Sequence, residues 1–286
     1  MPDPLTQYLA TADGRTVCYA DWGAASNGNP DGYPVFSLHG SAGCRLLVRS
    51  PELIASLGVR LVTYDRPGYG RSPRRGAGTT VADHVADIEA VADVLGIEEF
   101  AINGGSGGGP HALAAAALLP HRVSRVSDFA ALAPTDLMGL EAYERDQDEW
   151  TRDYLRKVRE SEAVCATFFK EQDDEMRAGL SDDDPLREAY LEMCRDGVMG
   201  WVDDERALQL PWGFDLDDVK APTVIYANPN DGTTPPNHAD WLAAHLPNAT
   251  LVTSTNAAAH VAIDDREGWT RALYGWLVNG GEPAVP

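Results

Sequence analysis

The stretch that decides the fold is FAINGGSGGGPHALAAAAL, residues 100–118, in which a glycine-rich turn joins a strand to a helix. FAIN is predicted as a buried strand and PHALAAAAL as a helix, with little chain between them. A serine wedged into so sharp a turn is forced into strained backbone angles, and its neighbours two positions away must be small. Gly104 and Gly108 flank Ser106 in this way. The resulting Gly-x-Ser-x-Gly predicts Ser106 as a nucleophile at the start of a helix.

Other interpretations of the same glycines are weaker. No register of residues 104–112 gives G-x-G-x-x-G, and no Gly-Lys-Ser/Thr follows, which argues against a dinucleotide or phosphate loop. A flexible linker would not be flanked on both sides by apolar segments. The turn is therefore interpreted as the position of a reactive serine.

Strand and helix signals alternate over the first hundred residues, and the pattern resumes late in the chain. Short, almost wholly apolar strands that alternate with helices are typical of a parallel sheet covered on both faces. QYLAT and TVCYADWG flank the turn residues ADGR and are predicted as a hairpin. The predicted class is α/β, with a mostly parallel central sheet flanked by helices. The remaining predicted strands are PVFSLHG, RLVTYD, EFAIN, APTVIYAN and ATLVTST.

Residues 135–212 differ from the rest of the chain because they are acidic and strongly helix-forming, with almost no β-branched runs. They are predicted as a helical lid inserted into an α/β core formed by residues 1–134 and 213–286. The acidic runs of this segment are interpreted as solvated faces. The run at residues 182–184 lacks the partner ligands that a metal site requires.

His260 is the predicted general base, because the Ser106 hydroxyl needs a base to become a nucleophile at neutral pH. It follows the last predicted strand, at the carboxyl edge where the sites of open parallel sheets form. Asp231 follows the strand TVIYAN and is predicted to orient the imidazole. The chain order Ser, Asp, His is that of one known triad architecture. Most other histidines lie in or beside helices and are interpreted as surface or packing residues.

Two backbone donors are needed to stabilise an oxyanion beside the serine. Gly107 N–H, directly after the nucleophile, is one candidate, and Ser41 N–H in the loop His39-Gly40-Ser41 is the other. Gly105 is predicted to leave extra space beside the nucleophile. The aromatic residues of the insertion favour an apolar acyl or ring group in the pocket. The predicted substrate-binding residues are His39, Gly40, Gly105, Trp150, Trp201 and Trp212.

The composition limits the class of partner. The 23 basic and 44 acidic residues give a formal charge of −21, and such a surface repels nucleic-acid backbones and anionic lipids. No basic leader, secretory apolar segment or membrane-length apolar stretch is visible. The four cysteines are scattered, without metal-ligand spacing. We expect a cytoplasmic protein with free thiols, no metal or other cofactor, and no nucleic-acid or membrane partner. A monomer or homodimer acting on a small-molecule substrate is expected.

Five stretches between residues 38 and 263 resemble the α/β-hydrolase fold family, in the lid-bearing branch of esterases, C–C hydrolases, haloperoxidase-like hydrolases and proline iminopeptidases. These stretches are LHGSAG, YDRPGYGRS, NGGSGGGPHAL, NPNDGTTPP and AAAHVAI. The resemblance implies the same triad and oxyanion donors as named above. The chain departs from the family pattern at Ala42, Gly105 and Ala259, where the family often has proline, a bulky residue and glycine respectively.

The identity of the predicted nucleophile limits the reactions that the site can catalyse. Dehalogenases and epoxide hydrolases of this fold use an aspartate at the elbow, so Ser106 argues against both. The first hypothesis is a serine hydrolase that cleaves a small apolar carboxylic ester or lactone through an acyl-enzyme. A C–C hydrolase shares the triad and is an alternative. So is an aminopeptidase, which would hold a free amine with carboxylates of the insertion. A non-hydrolytic member that keeps the cavity is the alternative from another class.

Overall fold

The central feature of the molecule is a mostly parallel β-sheet. The structure is a computed structural model and describes residues 3–258, 260 and 264–286. Its strands are β1 (Gln7–Ala10), β2 (Thr16–Asp21), β3 (Tyr33–Leu38), β4 (Val59–Tyr64), β5 (Phe100–Gly105), β6 (Val123–Phe129), β7 (Thr223–Ala227) and β8 (Ala249–Thr253). Their order across the sheet is β1-β2-β4-β3-β5-β6-β7-β8. Within the described sheet, β2 pairs antiparallel with β1 and with β4, and the other pairs are parallel. The predicted α/β class and the amino-terminal hairpin are confirmed.

The helices lie between strands and on both faces of the sheet. They are α1 (Pro51–Ser56), α2 (Val85–Val94), α3 (Gly108–Leu118), α4 (Thr135–Met138), α5 (Leu140–Glu144), α6 (Glu149–Glu160), α7 (Glu162–Gly179), α8 (Arg187–Met193), α9 (Met199–Leu208), α10 (Pro236–His245) and α11 (Arg266–Asn279). One face of the sheet packs in a hydrophobic cluster with α2, α3 and α10, and the other packs with α1 and α11. Burial of one large aliphatic side chain in such a cluster, Leu113 of α3 for example, contributes about 1.5–3 kcal/mol.

Strand β6, which lies between β5 and β7, was not predicted from the sequence. Its residues VSRVSDF break the apolar run that marks the other central strands. Ser127 and Asp128 are nevertheless fully buried, because strands pair on both sides of β6. Burial raises the pKa of Asp128 well above its usual range and so favours the neutral form of this carboxyl.

Between β6 and β7 the chain forms the helices α4 to α9, which lie within residues 135–212, the segment called the helical insertion below. Asp148 caps α6 by accepting from Thr151 N (2.7 Å), and Ser161 caps α7 in the same way through Val164 N (3.2 Å). Phe169 of α7 and Val202 of α9 are buried in one hydrophobic cluster. The division of the chain into core and lid stays a prediction.

Among the residues that the structure describes, no helix has the length and the apolar character needed to cross a bilayer. The four cysteines are buried free thiols, and burial raises the pKa of each of them.

Candidate active site

Ser106 occupies the turn between β5 and α3, at the carboxyl edge of the sheet. Its φ of 51° lies in the left-handed region, which confirms the strained backbone that the sequence predicts. The turn is closed by Ser106 N donating to Phe129 O (2.9 Å) and by Gly109 N donating to Ser106 O (3.0 Å). A Cβ built on Gly104 would stand 2.2 Å from Gly108 O. A Cβ built on Gly108 would stand 2.5 Å from Leu38 O, so each of the two flanking glycines is required by a close backbone approach.

His260 and Asp231 are brought to the same edge of the sheet and form a continuous chain of hydrogen bonds with Ser106. His260 Nε2 lies 3.2 Å from Ser106 Oγ, and His260 Nδ1 lies 3.1 Å from Asp231 Oδ2. Asp231 also accepts from Thr233 N (2.9 Å), Thr234 N (3.0 Å) and Thr234 Oγ1 (2.9 Å). Burial opposes ionisation of this carboxyl, yet the hydrogen bond with His260 and the backbone donors lower the pKa of Asp231 to about 2. A carboxylate that is ionised at neutral pH can hold the imidazole in one orientation.

Ser41 and Gly107, the predicted oxyanion donors, face each other across a short gap. A Cβ built on Gly107 would stand 3.2 Å from Ser41 N and 2.2 Å from Ser41 Oγ, so only glycine fits there. The Ser41 hydroxyl is already committed, because it donates to Asp204 Oδ2 at 2.5 Å. Within the described residues, neither the Ser41 nor the Gly107 amide donates a hydrogen bond to another backbone group. Both amides can therefore be offered to a ligand.

His39 and Gly40 line a cavity of about 400 Å³ beside Ser106, called the core cavity below. His39 is buried, and burial lowers its pKa well below the usual range. Arg66 N lies 3.3 Å from His39 Nε2 and His39 Nδ1 lies 2.8 Å from Gly40 O. A neutral ring that accepts at Nε2 and donates at Nδ1 satisfies both contacts. His39 therefore shapes the loop and the cavity wall as a neutral side chain.

Gly105 also lines the core cavity, but it does not provide extra space beside the nucleophile. A Cβ built on Gly105 would stand 2.0 Å from Cε2 of the Phe129 ring. The prediction of free space was wrong, because a ring from the neighbouring strand β6 already fills that volume. The sequence analysis missed this strand and therefore could not place the ring.

A second, smaller cavity of about 110 Å³ lies between Ser106 and the helical insertion and is called the insertion cavity below. Trp150 and Trp201 line it, and their part in substrate binding stays a prediction. Trp212 does not line this cavity. It is buried in the hydrophobic cluster on the α2–α3 face of the sheet, where its Nε1 donates to Leu208 O (3.2 Å). The prediction for Trp212 was wrong, because the chain leaves α9 toward the core before this residue.

The sequence analysis also missed a buried ionic network around Asp204 of helix α9. Arg66 NH2 donates to Asp204 Oδ2 (2.7 Å), and His111 Nε2 lies 2.9 Å from Asp204 Oδ1. Tyr69 OH and Ser41 Oγ donate to the same carboxylate at 3.0 and 2.5 Å. Arg66 also donates to the carbonyls of the His39-Gly40 loop. Burial opposes ionisation, yet Arg66 and His111 hold the pKa of Asp204 well below its usual range.

Asp204, His111 and His84 form a buried group whose possible ligand atoms lie within 4.8 Å of one another. The rings of His84 and His111 stack in parallel, with an interplanar angle of 2° and centroids 4.6 Å apart. The guanidinium of Arg66 already neutralises Asp204. The group is therefore better described as an ion-pair network that ties the insertion to the core than as a metal site.

Glu205, next to Asp204 on α9, is buried and lines the insertion cavity. Burial raises the pKa of Glu205 from 4.5 to about 7. The acidic runs that were interpreted as solvated faces did not include Asp204 and Glu205, and no role was predicted for these two buried residues. Both lie on the side of α9 that packs against the oxyanion loop, which helical spacing alone does not reveal.

The substitution Glu205→Gln is expected to change how stability depends on pH. Because the folded-state pKa of Glu205 is raised, its contribution to stability is fully present below about pH 4.5 and is lost as the pH rises through about 7. At about 1.4 kcal/mol per pKa unit, the loss is about 3 kcal/mol. The wild-type free energy of unfolding minus that of the variant should therefore fall by this amount between pH 4 and pH 8, measured by urea denaturation.

The matched control is Glu141→Gln, on the exposed surface of helix α5. It removes one carboxylate from the surface and gives the reference for the Glu205→Gln result. A Glu205→Gln difference that changes no more between pH 4 and pH 8 than the Glu141→Gln difference would contradict the raised pKa of Glu205.

A family model described as "alpha/beta hydrolase fold" matches residues 33–267, so the chain belongs to the alpha/beta hydrolase fold family. A proline iminopeptidase of Neisseria gonorrhoeae is 41% identical over 102 residues, which are 34% of this chain and 32% of that protein. The match thus spans about a third of the length of that relative. Ala259, one of the departures from the family pattern, lies outside the described residues.

Two comparisons extend over most of the chain. A 2-hydroxy-6-oxononadienedioate/2-hydroxy-6-oxononatrienedioate hydrolase of Paraburkholderia phymatum is 27% identical over 263 residues and covers 85% of both chains. Among solved structures, an esterase from Exiguobacterium antarcticum superposes with a TM-score of 0.69 at 19% identity, covering 96% of this chain and 99% of that one. At this identity the structural likeness establishes the fold alone.

Proposed function

We propose that this protein is a serine hydrolase that cleaves a small carboxylic ester or lactone through an acyl-enzyme on Ser106. The observation that carries the proposal is the hydrogen-bonded chain from Ser106 Oγ through the His260 imidazole to the Asp231 carboxylate. Both heavy-atom distances are within the range for a nucleophile and its base. The names of the relatives, a peptidase, an esterase and another hydrolase, agree with hydrolysis but do not choose among the bonds.

In the proposed acylation step, Ser106 Oγ attacks the carbonyl carbon and its proton passes to His260 Nε2. Asp231 stabilises the imidazolium through Nδ1–H. The carbonyl oxygen gains negative charge and accepts hydrogen bonds from Ser41 N–H and Gly107 N–H. The tetrahedral intermediate collapses when the bond to the alcohol oxygen breaks, and that oxygen takes the proton from His260.

In the proposed deacylation step, water takes the place of the alcohol. His260 Nε2 removes a proton from the water, whose oxygen attacks the acyl carbon. The same two amides hold the second oxyanion. The bond to Ser106 Oγ then breaks, the serine recovers its proton from His260, and the carboxylic acid leaves. We further propose that residues 135–212 act as a lid over Ser106, because Trp150 and Trp201 line the cavity that reaches it.

The proposal is tested by an active-site label and an ester panel used together. A fluorophosphonate is expected to add once to the native protein, and peptide mass spectrometry should place the adduct on Ser106. The heat-denatured protein is the control and should not be labelled. Among p-nitrophenyl esters of two to eight carbons, we expect kcat/KM to fall once the acyl chain exceeds about four carbons, because the insertion cavity is small.

The combined results separate the alternatives. An adduct without ester turnover would favour a C–C or amide hydrolase, and neither adduct nor turnover would favour a non-hydrolytic member of the fold. Both results contradict the proposed ester hydrolysis.

A second candidate function is supported by one observation, the buried Glu205 carboxyl in the insertion cavity. An aminopeptidase needs a carboxylate at such a position to pair with the free amine of its substrate, and Trp150 and Trp201 could add cation–π contacts. This reading predicts that amino-acyl p-nitroanilides are cleaved faster than the corresponding unsubstituted acyl anilides. Equal or slower cleavage of the amino-acyl p-nitroanilides would contradict an aminopeptidase function.

A further inference from the structure

The insertion cavity is not the purely apolar pocket that its aromatic residues suggest. Its walls include Tyr143, Trp150, Tyr154 and Trp201, but Gln147 and Thr151 line it as well. Gln147 is 2% exposed and Thr151 is 3% exposed. Both ends of the Gln147 amide and the Thr151 hydroxyl are buried without a hydrogen-bond partner among the described residues.

Buried polar groups without partners are rare in folded proteins because each costs about 1–3 kcal/mol. Here three such atoms, Gln147 Nε2, Gln147 Oε1 and Thr151 Oγ1, belong to two residues that line one small cavity. The same cavity is bounded by Ser106 and His260. The core cavity is bounded by the same two residues, and we assign the insertion cavity to the acyl portion of the substrate, which is joined to the serine.

The two polar residues are held in a fixed relation to the reacting groups. Gln147 precedes the helix cap Asp148, and Thr151 lies in the first turn of α6, where its N–H donates to the Asp148 carboxylate (2.7 Å). Asp148 N in turn donates to Gly232 O (2.8 Å), directly after Asp231. The start of α6 is thus tied to the loop that carries the proposed catalytic acid, and a bound group would be oriented with respect to Ser106.

The size and chemistry of the cavity limit what can fill it. A water molecule takes about 30 Å³ of liquid, so about 110 Å³ accommodates roughly four non-hydrogen atoms. An amide and a hydroxyl offer both donors and acceptors, which suits a hydroxyl group, itself a donor and an acceptor. The aromatic walls suit the short alkyl chain that would carry it.

We infer that the insertion cavity is a recognition subsite for a short acyl group bearing one hydroxyl, held by Gln147 and Thr151. This inference rests on the proposed function and narrows its substrate to esters or lactones of short hydroxy acids. The bonds formed are hydrogen bonds only, and the hydroxyl takes no part in the acyl transfer.

The test compares two p-nitrophenyl esters whose acyl groups are nearly isosteric, 3-hydroxybutyrate and 3-methylbutyrate. The wild type is expected to prefer the hydroxy ester at least tenfold in kcat/KM, because the methyl analogue leaves the polar groups of the site unpaired. Thr151→Val and Gln147→Met are each expected to reduce this preference at least fivefold. The loss should come mainly from slower turnover of the hydroxy ester.

Thr167→Val is the matched control, because Thr167 lies on α7 and its hydroxyl donates to Ala163 O in an exposed position. It should keep the wild-type preference. The far-ultraviolet circular dichroism spectrum of each variant, compared with that of the wild type, serves as the measure of correct folding. A wild-type preference near one, or a preference that survives both cavity variants, would overturn the inference while leaving ester hydrolysis intact. Faster cleavage of the 3-aminobutyrate ester than of both others would overturn it in favour of a cation subsite.

A binding measurement separates this inference from the proposed function. Calorimetry on Ser106→Ala with 3-hydroxybutanamide and 3-methylbutanamide requires no turnover. Binding of the hydroxy amide at least tenfold more tightly would support the subsite even if no ester were hydrolysed. Equal binding of the two amides would overturn the subsite.

Discussion

Replacing Ser106 with alanine is expected to lower kcat/KM for ester substrates by about 10⁴–10⁶-fold. The substitution removes the only oxygen within reach of His260 Nε2 among the described side chains, at 3.2 Å, and so prevents the acyl-enzyme from forming. The amides of Ser41 and Gly107 would remain and could still polarise a bound carbonyl. Initial rates of p-nitrophenol release, with the p-nitrophenyl ester that the wild type cleaves fastest, measure the loss.

Further variants test whether the loss of activity is specific to the Ser106 hydroxyl. Ser56→Ala, at the exposed end of α1 where the hydroxyl bonds only to Leu53 O, should retain wild-type activity. His260→Ala should lose nearly as much as Ser106→Ala, and the double variant no more than either, because residues that act as a unit are not additive. Retention of more than about one per cent of the activity in Ser106→Ala would assign the chemistry to another group.

The part of the site that could be predicted from the sequence is the part that topology determines. Ser106, Asp231 and His260 each follow a strand of the parallel sheet, and the carboxyl ends of parallel strands meet at one edge. Their contact therefore required only correct strand assignments, which short apolar runs provide. The strained turn at Ser106 followed from the absence of any loop between β5 and α3.

The parts that could not be predicted depend on which side of an element faces the core. Trp201 and Trp212 are both tryptophans near the end of the insertion, yet one lines the insertion cavity and the other lies in the core. Asp204 and Glu205 belong to a strongly acidic segment, and only tertiary contacts distinguish them from its solvated residues. Strand β6 was missed because its polar residues hide the apolar pattern until its two neighbouring strands are in place.

The substitution Asp204→Asn is expected to lower the free energy of unfolding by about 3–5 kcal/mol. The change keeps the shape of the side chain but removes its charge, and so leaves the Arg66 guanidinium buried without a counter-charge. Since typical domains are stable by only about 5–15 kcal/mol, this is a large share of the total. Urea denaturation at neutral pH, followed by tryptophan fluorescence, measures it.

Asp203→Asn is the matched control one position away on the same helix. Asp203 pairs with Arg74, whose side chain is 34% exposed, and such partly exposed pairs contribute about 1 kcal/mol or less. A loss at Asp204 no larger than that at Asp203 would contradict the account of the buried network.

The double variant Arg66→Met, Asp204→Leu should recover part of the lost stability, because an apolar pair leaves no buried charge unpaired. It should not recover activity, since Ser41 would lose the carboxylate that anchors its hydroxyl, and with it the constraint on the proposed oxyanion donor. Stability and activity would thus separate in one variant, as expected if Asp204 both joins the insertion to the core and positions the oxyanion loop.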